Sequence, residues 1–304
     1  MNAGLAASRG GRLRCDVIHS GSRPEGWAGK LWAVHVGIEH ATGGPSPGPD
    51  WLLLTDADIV HPPDSLRRLM VAALAEDRDA VSLMVKLRVA TGWERLIIPA
   101  FVYFFAQLYP FGRVGRPGRT AAAAGGCVLV RRSALQRAGG IESVHAAVID
   151  DVALARGLKR TGSSIWLGFA EDVCSVRPYP HLADLWRMVT RSAFTQLRHS
   201  AVLLVGTVMG LIAIYLAPPI AVVAGIAGGY PWVVIAGAVA WVLMVATYLP
   251  IIRYYRLRWT WALALPAAAA MYLAMTVDSA RRHWLGRGVS WKGRHYQLDH
   301  PGPG

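Results

Sequence analysis

Trp51-Leu52-Leu53-Leu54-Thr55-Asp56-Ala57-Asp58-Ile59 is an apolar run of strand length that ends in two carboxylates one residue apart. In an extended backbone, side chains at i and i+2 point to the same side. Asp56 and Asp58 are therefore expected to present oxygens to one point at the edge of a sheet. Hard divalent cations such as Mg²⁺ or Mn²⁺ take oxygen ligands, and Mg²⁺ is commonly bound by one or two carboxylates plus substrate phosphates. The motif points to a metal–diphosphate site, although a solvated turn or a helix cap accounts for the same two residues. The surrounding chain has to decide between them.

Working outward, Leu13 to His19 alternates enough for a strand, and residues 31–40 read as a helix entered through the loop Arg23-Pro24-Glu25-Gly26-Trp27-Ala28-Gly29-Lys30. Pro62-Pro63-Asp64 opens a helix over residues 65–76. Residues 80–87 read as a strand, 122–130 as a small-residue loop entering a strand, 150–161 as a helix and 165–169 as a strand. Strands alternating with helices indicate a layered α/β domain. Residues 96–111 are apolar apart from Gln107 and rich in aromatics. That stretch is short for a membrane crossing, and it fits either core packing or a membrane-facing platform.

The second part of the chain is made for lipid. Of the 304 residues 53% are hydrophobic, and the mean hydropathy is +0.32. Residues 200–229, 231–252 and 259–277 carry no charge, and each run is near the ~20 residues an α-helix needs to cross hydrocarbon. Tyr230, Trp232, Tyr248, Tyr254, Tyr255, Trp259 and Trp261 sit near their ends, as interfacial aromatics do. The net charge is +13. Its cations between and after these runs (Arg253, Arg256, Arg258, Arg281, Arg282, Arg287, Lys292, Arg294) suit the cytoplasmic side of a membrane. With both clusters on that side, an even number of crossings follows residue 199. Pro218-Pro219 is a candidate break in the first run, and the alanine-rich third run is a candidate re-entrant or interfacial segment. Nucleic-acid binding is excluded, since no basic recognition helix, zinc spacing or aromatic RNA-binding motif accompanies the charge. Three scattered cysteines fit a reducing cytoplasm.

Three further groups are candidates to join Asp56 and Asp58. Lys30 at a helix start adds its charge to a helix N-terminus, a place for phosphate; an ordinary surface lysine is the alternative. Asp150-Asp151 opens a helix, where N-capping is the alternative role. Arg191, Gln196, Arg198 and His199 gather just before the first long apolar run, where they also read as a juxtamembrane basic patch.

Taken together, these strings resemble the family-2-like membrane glycosyltransferases of the GT-A fold, nearest to hopene-associated glycosyltransferases and related to ceramide glucosyltransferases. The resemblance is carried by Gly29-Lys30-Leu31-Trp32-Ala33, Thr55-Asp56-Ala57-Asp58-Ile59 with His61 and Pro63, Gly125-Gly126-Cys127, Ile149-Asp150-Asp151, Arg198-His199, and Ser290-Trp291-Lys292-Gly293-Arg294-His295-Tyr296. It implies a GT-A-like (Rossmann-like) nucleotide-sugar domain over residues 13–198, after a disordered 1–12. Transmembrane helices over 199–280 and a basic cytoplasmic tail over 281–304 would follow. It implies a divalent cation (Mg²⁺ or Mn²⁺) on Asp56 and Asp58, and a nucleotide-sugar donor, a UDP-sugar, bound by Lys30, Asp56, Asp58, Gln196 and Arg198. Asp151 is implied as the base, with Asp150 beside it. A membrane lipid acceptor and a multi-pass protein of a bacterial inner membrane, with its catalytic domain in the cytoplasm, complete the picture.

Two departures stand out. The family's pre-membrane motif ends in Trp where this chain has His199, and Gln196 stands one position later than the family's Gln. The family also begins with a strand and an Asp-bearing loop for the nucleotide, to which nothing in residues 1–20 corresponds. The domain is therefore expected to be incomplete at its N-terminus by about two strands. A catalytically inactive relative or assembly subunit is the competing reading. A small-solute transporter is a poor one, because it gives the soluble α/β segment no role.

Overall fold

The computed structural model describes residues 15–44 and 48–286, and the backbone of 290–291 and 294–295. Residues 1–12 and most of the 281–304 tail, which includes Lys292, lie outside the described residues.

Five strands form one mixed sheet: β1 (Trp51–Thr55), β2 (Ile59–Val60), β3 (Ala80–Lys86), β4 (Cys127–Arg131) and β5 (Ile165–Ser175), in the order β1-β4-β3-β5-β2. Only β3 and β5 run parallel; the other neighbours are antiparallel. Val81, Leu129 and Val173 are buried on one face, and Ala80, Val130 and Leu167 on the other. Burial on both faces explains why the central strands read as apolar runs rather than as alternation. Residues 15–20 form no strand, contrary to the alternation there, and β5 extends six residues beyond the expected 165–169.

Around the sheet lie α1 (Gly29–Thr42), α2 (Ser65–Ala75), α3 (Gly92–Leu108), α4 (Phe111–Val114), α5 (Arg132–Arg137), α6 (Asp150–Arg160), α7 (Leu182–Thr190) and α8 (Ala193–Gln196). Residues 96–108 of the apolar stretch lie in α3, and Phe111 opens α4. Its cap is a reciprocal pair: Thr91 Oγ1 accepts from the Glu94 amide, and Glu94 accepts from the Thr91 amide. Glu94 is 0% exposed, and it also accepts from the amides of Ala90 and Tyr179. It thereby ties α3 to the segment after β5. Ile97, Ile98 and Val102 fill the core, as core packing expects, while Phe101, Phe104 and Phe105 stay half-buried on the same helix.

Past His199 the chain forms α9 (Ala201–Leu211), a π-helical turn (Ile212–Leu216), α10 (Ala217–Gly228), α11 (Pro231–Tyr254), a 3₁₀ stretch (Trp259–Ala264) and α12 (Leu265–Trp284). Pro218-Pro219 does not split the first run. The wider π-turn just before it takes up the missing amides and the ring clash, so helix continues from 201 to 228. Four segments among the described residues are long and apolar enough to cross a membrane: Gly92–Val114, Ala201–Gly228, Pro231–Tyr254 and Trp259–Trp284.

Helices α10 and α11 pair as a tight antiparallel hairpin, in which Gly237 lies against the backbone of Pro218 and Val222. Helix α11 returns to the sheet, where the Tyr254 hydroxyl donates to the carbonyl of Ala170 at 2.9 Å. Helix α12 ends beside α8: His283 and Trp284 pack on Phe194, and His283 stacks on His199 at 4.2 Å. The Trp186 indole of α7 also donates to Asp278 of α12. The C-terminal end of the third run is thus packed on α7 and α8, and Tyr254, five residues before its start, is tied to the sheet.

Candidate functional site

The two aspartates of the opening motif do not lie in extended backbone. Strand β1 stops at Thr55, and Asp56 to Ile59 form a tight turn closed by the Ile59 amide on the Asp56 carbonyl at 3.1 Å. The i, i+2 argument therefore fails here, yet both carboxylates still line one cavity of about 1210 Å³. The turn is pinned from behind. The Thr55 hydroxyl donates to the Gly126 carbonyl at 2.9 Å and contacts His61 Nε2 at 2.8 Å, while His61 Nδ1 reaches Ser65 at 3.3 Å. With Thr55 as donor to Gly126, His61 Nε2 carries the proton toward Thr55, and its Nδ1 accepts from Ser65. Burial depresses the His61 pKa, which favours that neutral form.

Lys30 joins the pieces. Its ammonium lies 3.0 Å from Asp56 Oδ1 and 3.1 Å from Asp150 Oδ2, bridging the β1 turn to the N-terminus of α6. Burial pulls its pKa down, but Asp150 and Asp56 outweigh this and hold it raised, so Lys30 is a fixed positive charge. Asp58 Oδ2 accepts from the Ser175 hydroxyl at 2.6 Å, which orients the second carboxylate. Each aspartate thus has one oxygen engaged by a neighbour and brings a hard donor to the cavity, a set that fits a Mg²⁺ or Mn²⁺ ion completed by phosphate oxygens.

Asp151 has a different environment. Its Oδ2 accepts from the Gly125 amide at 2.9 Å and its Oδ1 from the Val152 amide at 2.8 Å. Burial and the neighbouring Asp150 charge raise its pKa from 3.8 to about 6, against the pull of those two amides and Lys30. A carboxylate tuned toward neutrality and facing a cavity is matched to general-base work. Gly125 is a glycine because of close approach: a Cβ there would meet Lys30 Nζ at 3.3 Å and Asp151 Oδ2 at 3.4 Å. Ser82, buried in β3, supports it by accepting from the Ala124 amide at 2.8 Å.

Lys30, Asp56, Asp58, Asp150 and Asp151 are therefore brought together, whereas Gln196 and Arg198 are not among the residues lining the cavity. Gln196 instead exchanges hydrogen bonds with the Tyr109 hydroxyl, which lies within electrostatic reach of Asp151. Arg198 and His199 occupy left-handed backbone, at φ 52° and 54°, and turn the chain into α9. Besides Lys30, the cations that line the cavity are Arg23, Arg177 and Arg191, and Phe101, Phe105 and Met188 supply an apolar wall.

The profile of glycosyl transferase family 21 matches residues 28–303, spanning the Lys30 helix, both acidic motifs and the long apolar helices. The chain belongs to glycosyl transferase family 21. That family includes the ceramide glucosyltransferases and generally joins nucleotide-sugar donors to lipid acceptors, so the protein is a glycosyltransferase. A comparison with curated proteins found no match.

For a family 21 chain, the residues that sequence reasoning missed are instructive. Arg177 follows β5 in an irregular segment with no motif of its own; only the fold brings it to the cavity that Asp58 also lines. Arg191 stood in the pre-membrane cluster but was passed over for Arg198. Phe101 and Phe105, four apart on α3, were legible as one helix face, but nothing in the spacing said that the face meets a cavity.

Proposed function

We propose that the protein transfers a sugar from a nucleotide-diphosphate donor, a UDP-sugar, to the hydroxyl of a membrane lipid, with inversion at the sugar carbon. What carries this reading is the Asp151 carboxylate, with its pKa near 6, in the same cavity as the Lys30-bridged Asp56–Asp150 pair. The diphosphate lies at Asp56, Asp58 and Lys30 in a GT-A-like arrangement. A divalent cation on Asp56 and Asp58 would neutralise the departing charge. Lys30, Arg177 and Arg191 place further positive charge where the leaving diphosphate develops negative charge. Asp151 accepts the acceptor hydroxyl proton, and the Gly125 and Val152 amides hold its oxygens in place. Asp150 keeps Lys30 beside it. Gln196 contributes by fixing Tyr109, and Arg198, outside the cavity lining, keeps its charge within electrostatic reach of Tyr109.

The acceptor reaches the cavity past Phe101 and Phe105 on α3, which favours a hydrophobic alcohol of the hopanoid or ceramide kind. In a bacterial inner membrane, α9–α10 and α11 form a crossing pair with the catalytic domain in the cytoplasm. The 259–284 segment stays against that face, because its C-terminal end packs on α7 and α8 and Tyr254, just before its start, is tied to the sheet. Calorimetry on detergent-purified protein tests the donor site. Asp58→Asn should abolish Mn²⁺-dependent UDP-sugar binding, and unchanged binding would refute the assignment.

A further inference from the structure

On the far side of α1 from its N-terminus, His35 and Glu39 stand four residues apart on one face. Glu142, from the 3₁₀ turn Glu142–Val144, reaches across to them. His35 Nδ1 lies 3.1 Å from Glu142 Oε1, and the candidate ligand atoms of all three residues lie within 4.8 Å of one another. None of the three lines the cavity that holds Asp56 and Asp151. Two carboxylates converging on one imidazole make a nitrogen–oxygen donor set suited to a first-row transition ion. His35 and Glu142 meet here as an ion pair; ligands on a tetrahedral Zn²⁺ at about 2.1 Å are about 3.4 Å apart, so drawing donor atoms that lie within 4.8 Å onto one ion takes only side-chain adjustments of about an ångström.

The surroundings pre-organise the set. The His35 ring stacks on Trp32 at 5.2 Å and packs against Trp27 at 5.0 Å, which fixes the direction of Nδ1. Gly140, at φ 66°, leaves open the space into which the Glu142 carboxylate folds, where any side chain would collide with it. The Glu142 carbonyl is in turn contacted by His145 Nδ1 at 2.7 Å, so the turn that carries the carboxylate is braced.

We propose that His35, Glu39 and Glu142 form a Zn²⁺-class site that clasps α1 to the turn preceding α6. Helix α1 carries Lys30 and α6 carries Asp150 and Asp151, so an ion here links the two elements that the Lys30 bridge joins inside the cavity. The ion is structural, remote from the reacting groups and separate from the Asp56–Asp58 site. The remaining titratable pair on this helix, His40 with Asp16 at 3.2 Å, faces a different neighbour and serves as the control.

The test uses the full chain, purified in detergent and stripped of metal, with Asp58→Asn as background so that the Asp56–Asp58 site contributes nothing. Zn²⁺ is titrated against a chromophoric chelator, and Co²⁺ substitution reports coordination through its visible spectrum. One Zn²⁺ per chain is expected. Glu39→Gln and Glu142→Gln should each weaken it by roughly tenfold or more, since even changes to groups behind a ligand typically cost 10–100-fold. His40→Ala should leave it intact. Glu39 is exposed, so Glu39→Gln keeps the test valid even if His35→Ala loosens the packing around Trp27 and Trp32. Zn²⁺ should also raise the melting temperature of the background protein and not that of its Glu39→Gln derivative. Absence of stoichiometric Zn²⁺, or uptake unaltered by both glutamine substitutions, overturns the proposal.

Discussion

Replacing Asp151 by Asn should separate stability from turnover, because the carboxylate pKa is higher in the folded protein than in the unfolded chain. A rise from 3.8 to about 6 corresponds to about 3 kcal/mol of disfavour for the charged form. For a carboxylate the sign is this: the folded state holds the proton more tightly, so stability falls as pH rises from about 4 to about 6, and the full deficit is present above that. Asn removes the charge but turns its amide nitrogen toward one of the two backbone N–H donors, from Gly125 or Val152, at a cost of about 1 kcal/mol. The net expectation at pH 8 is a gain of about 2 kcal/mol, or roughly 4 °C in melting temperature. At pH 4 the small loss alone remains. Turnover should fall roughly 10²–10⁴-fold, with donor affinity kept. The assays are thermal unfolding of the detergent-solubilised protein at both pH values and transfer kinetics at saturating donor. A melting temperature that falls at pH 8 would refute the assigned environment, and turnover within threefold of wild type would refute the role.

Lys30→Met should lower kcat/KM by about 10², and it should displace the acidic limb of the rate profile upward, since Lys30 holds the Asp151 pKa down; a displacement downward contradicts the bridge. Gly126→Ala should destabilise by about 1–3 kcal/mol, because a Cβ there would sit 2.9 Å from Val85 Cγ2 in the sheet, as thermal or denaturant unfolding would show. In a chain whose three cysteines are replaced by serine, a cysteine at the exposed Leu285 should resist impermeant thiol reagents in intact cells and react after permeabilisation, as should one at Glu76. Labelling of the Leu285 position in intact cells would mean that the third apolar run crosses.

The elements with one strong local signal were legible in the sequence. The start of strand β1, α2 behind Pro62-Pro63-Asp64, and α6 opening on Asp150-Asp151 form within a residue or two of where the pattern puts them. The same holds for Lys30, Asp56, Asp58 and Asp150-Asp151, which the fold brings to one cavity. What failed was conformation finer than the pattern. Period-2 reasoning extended β1 through Asp58, whereas the chain turns at Asp56, pinned by Thr55, Gly126 and His61. Pro218-Pro219 read as a break because proline forbids the α-helical hydrogen bond, but the π-turn at Ile212–Leu216 offered another way to continue. The motif puts Gln196 and Arg198 at the donor; the left-handed residues Arg198 and His199 turn that segment toward α9 and α12, and neither Gln196 nor Arg198 is among the residues lining the cavity.

The most direct test is transfer itself. The full chain in lipid nanodiscs would be given radiolabelled UDP-hexose, Mn²⁺ and a hopanoid or ceramide alcohol, alongside its Asp151→Asn variant and a chelator control. The account predicts labelled lipid from the wild type alone, with UDP-sugar binding preserved in Asp151→Asn when Mn²⁺ is present. Labelled lipid formed at wild-type rate by Asp151→Asn, or undiminished by the chelator, would contradict it.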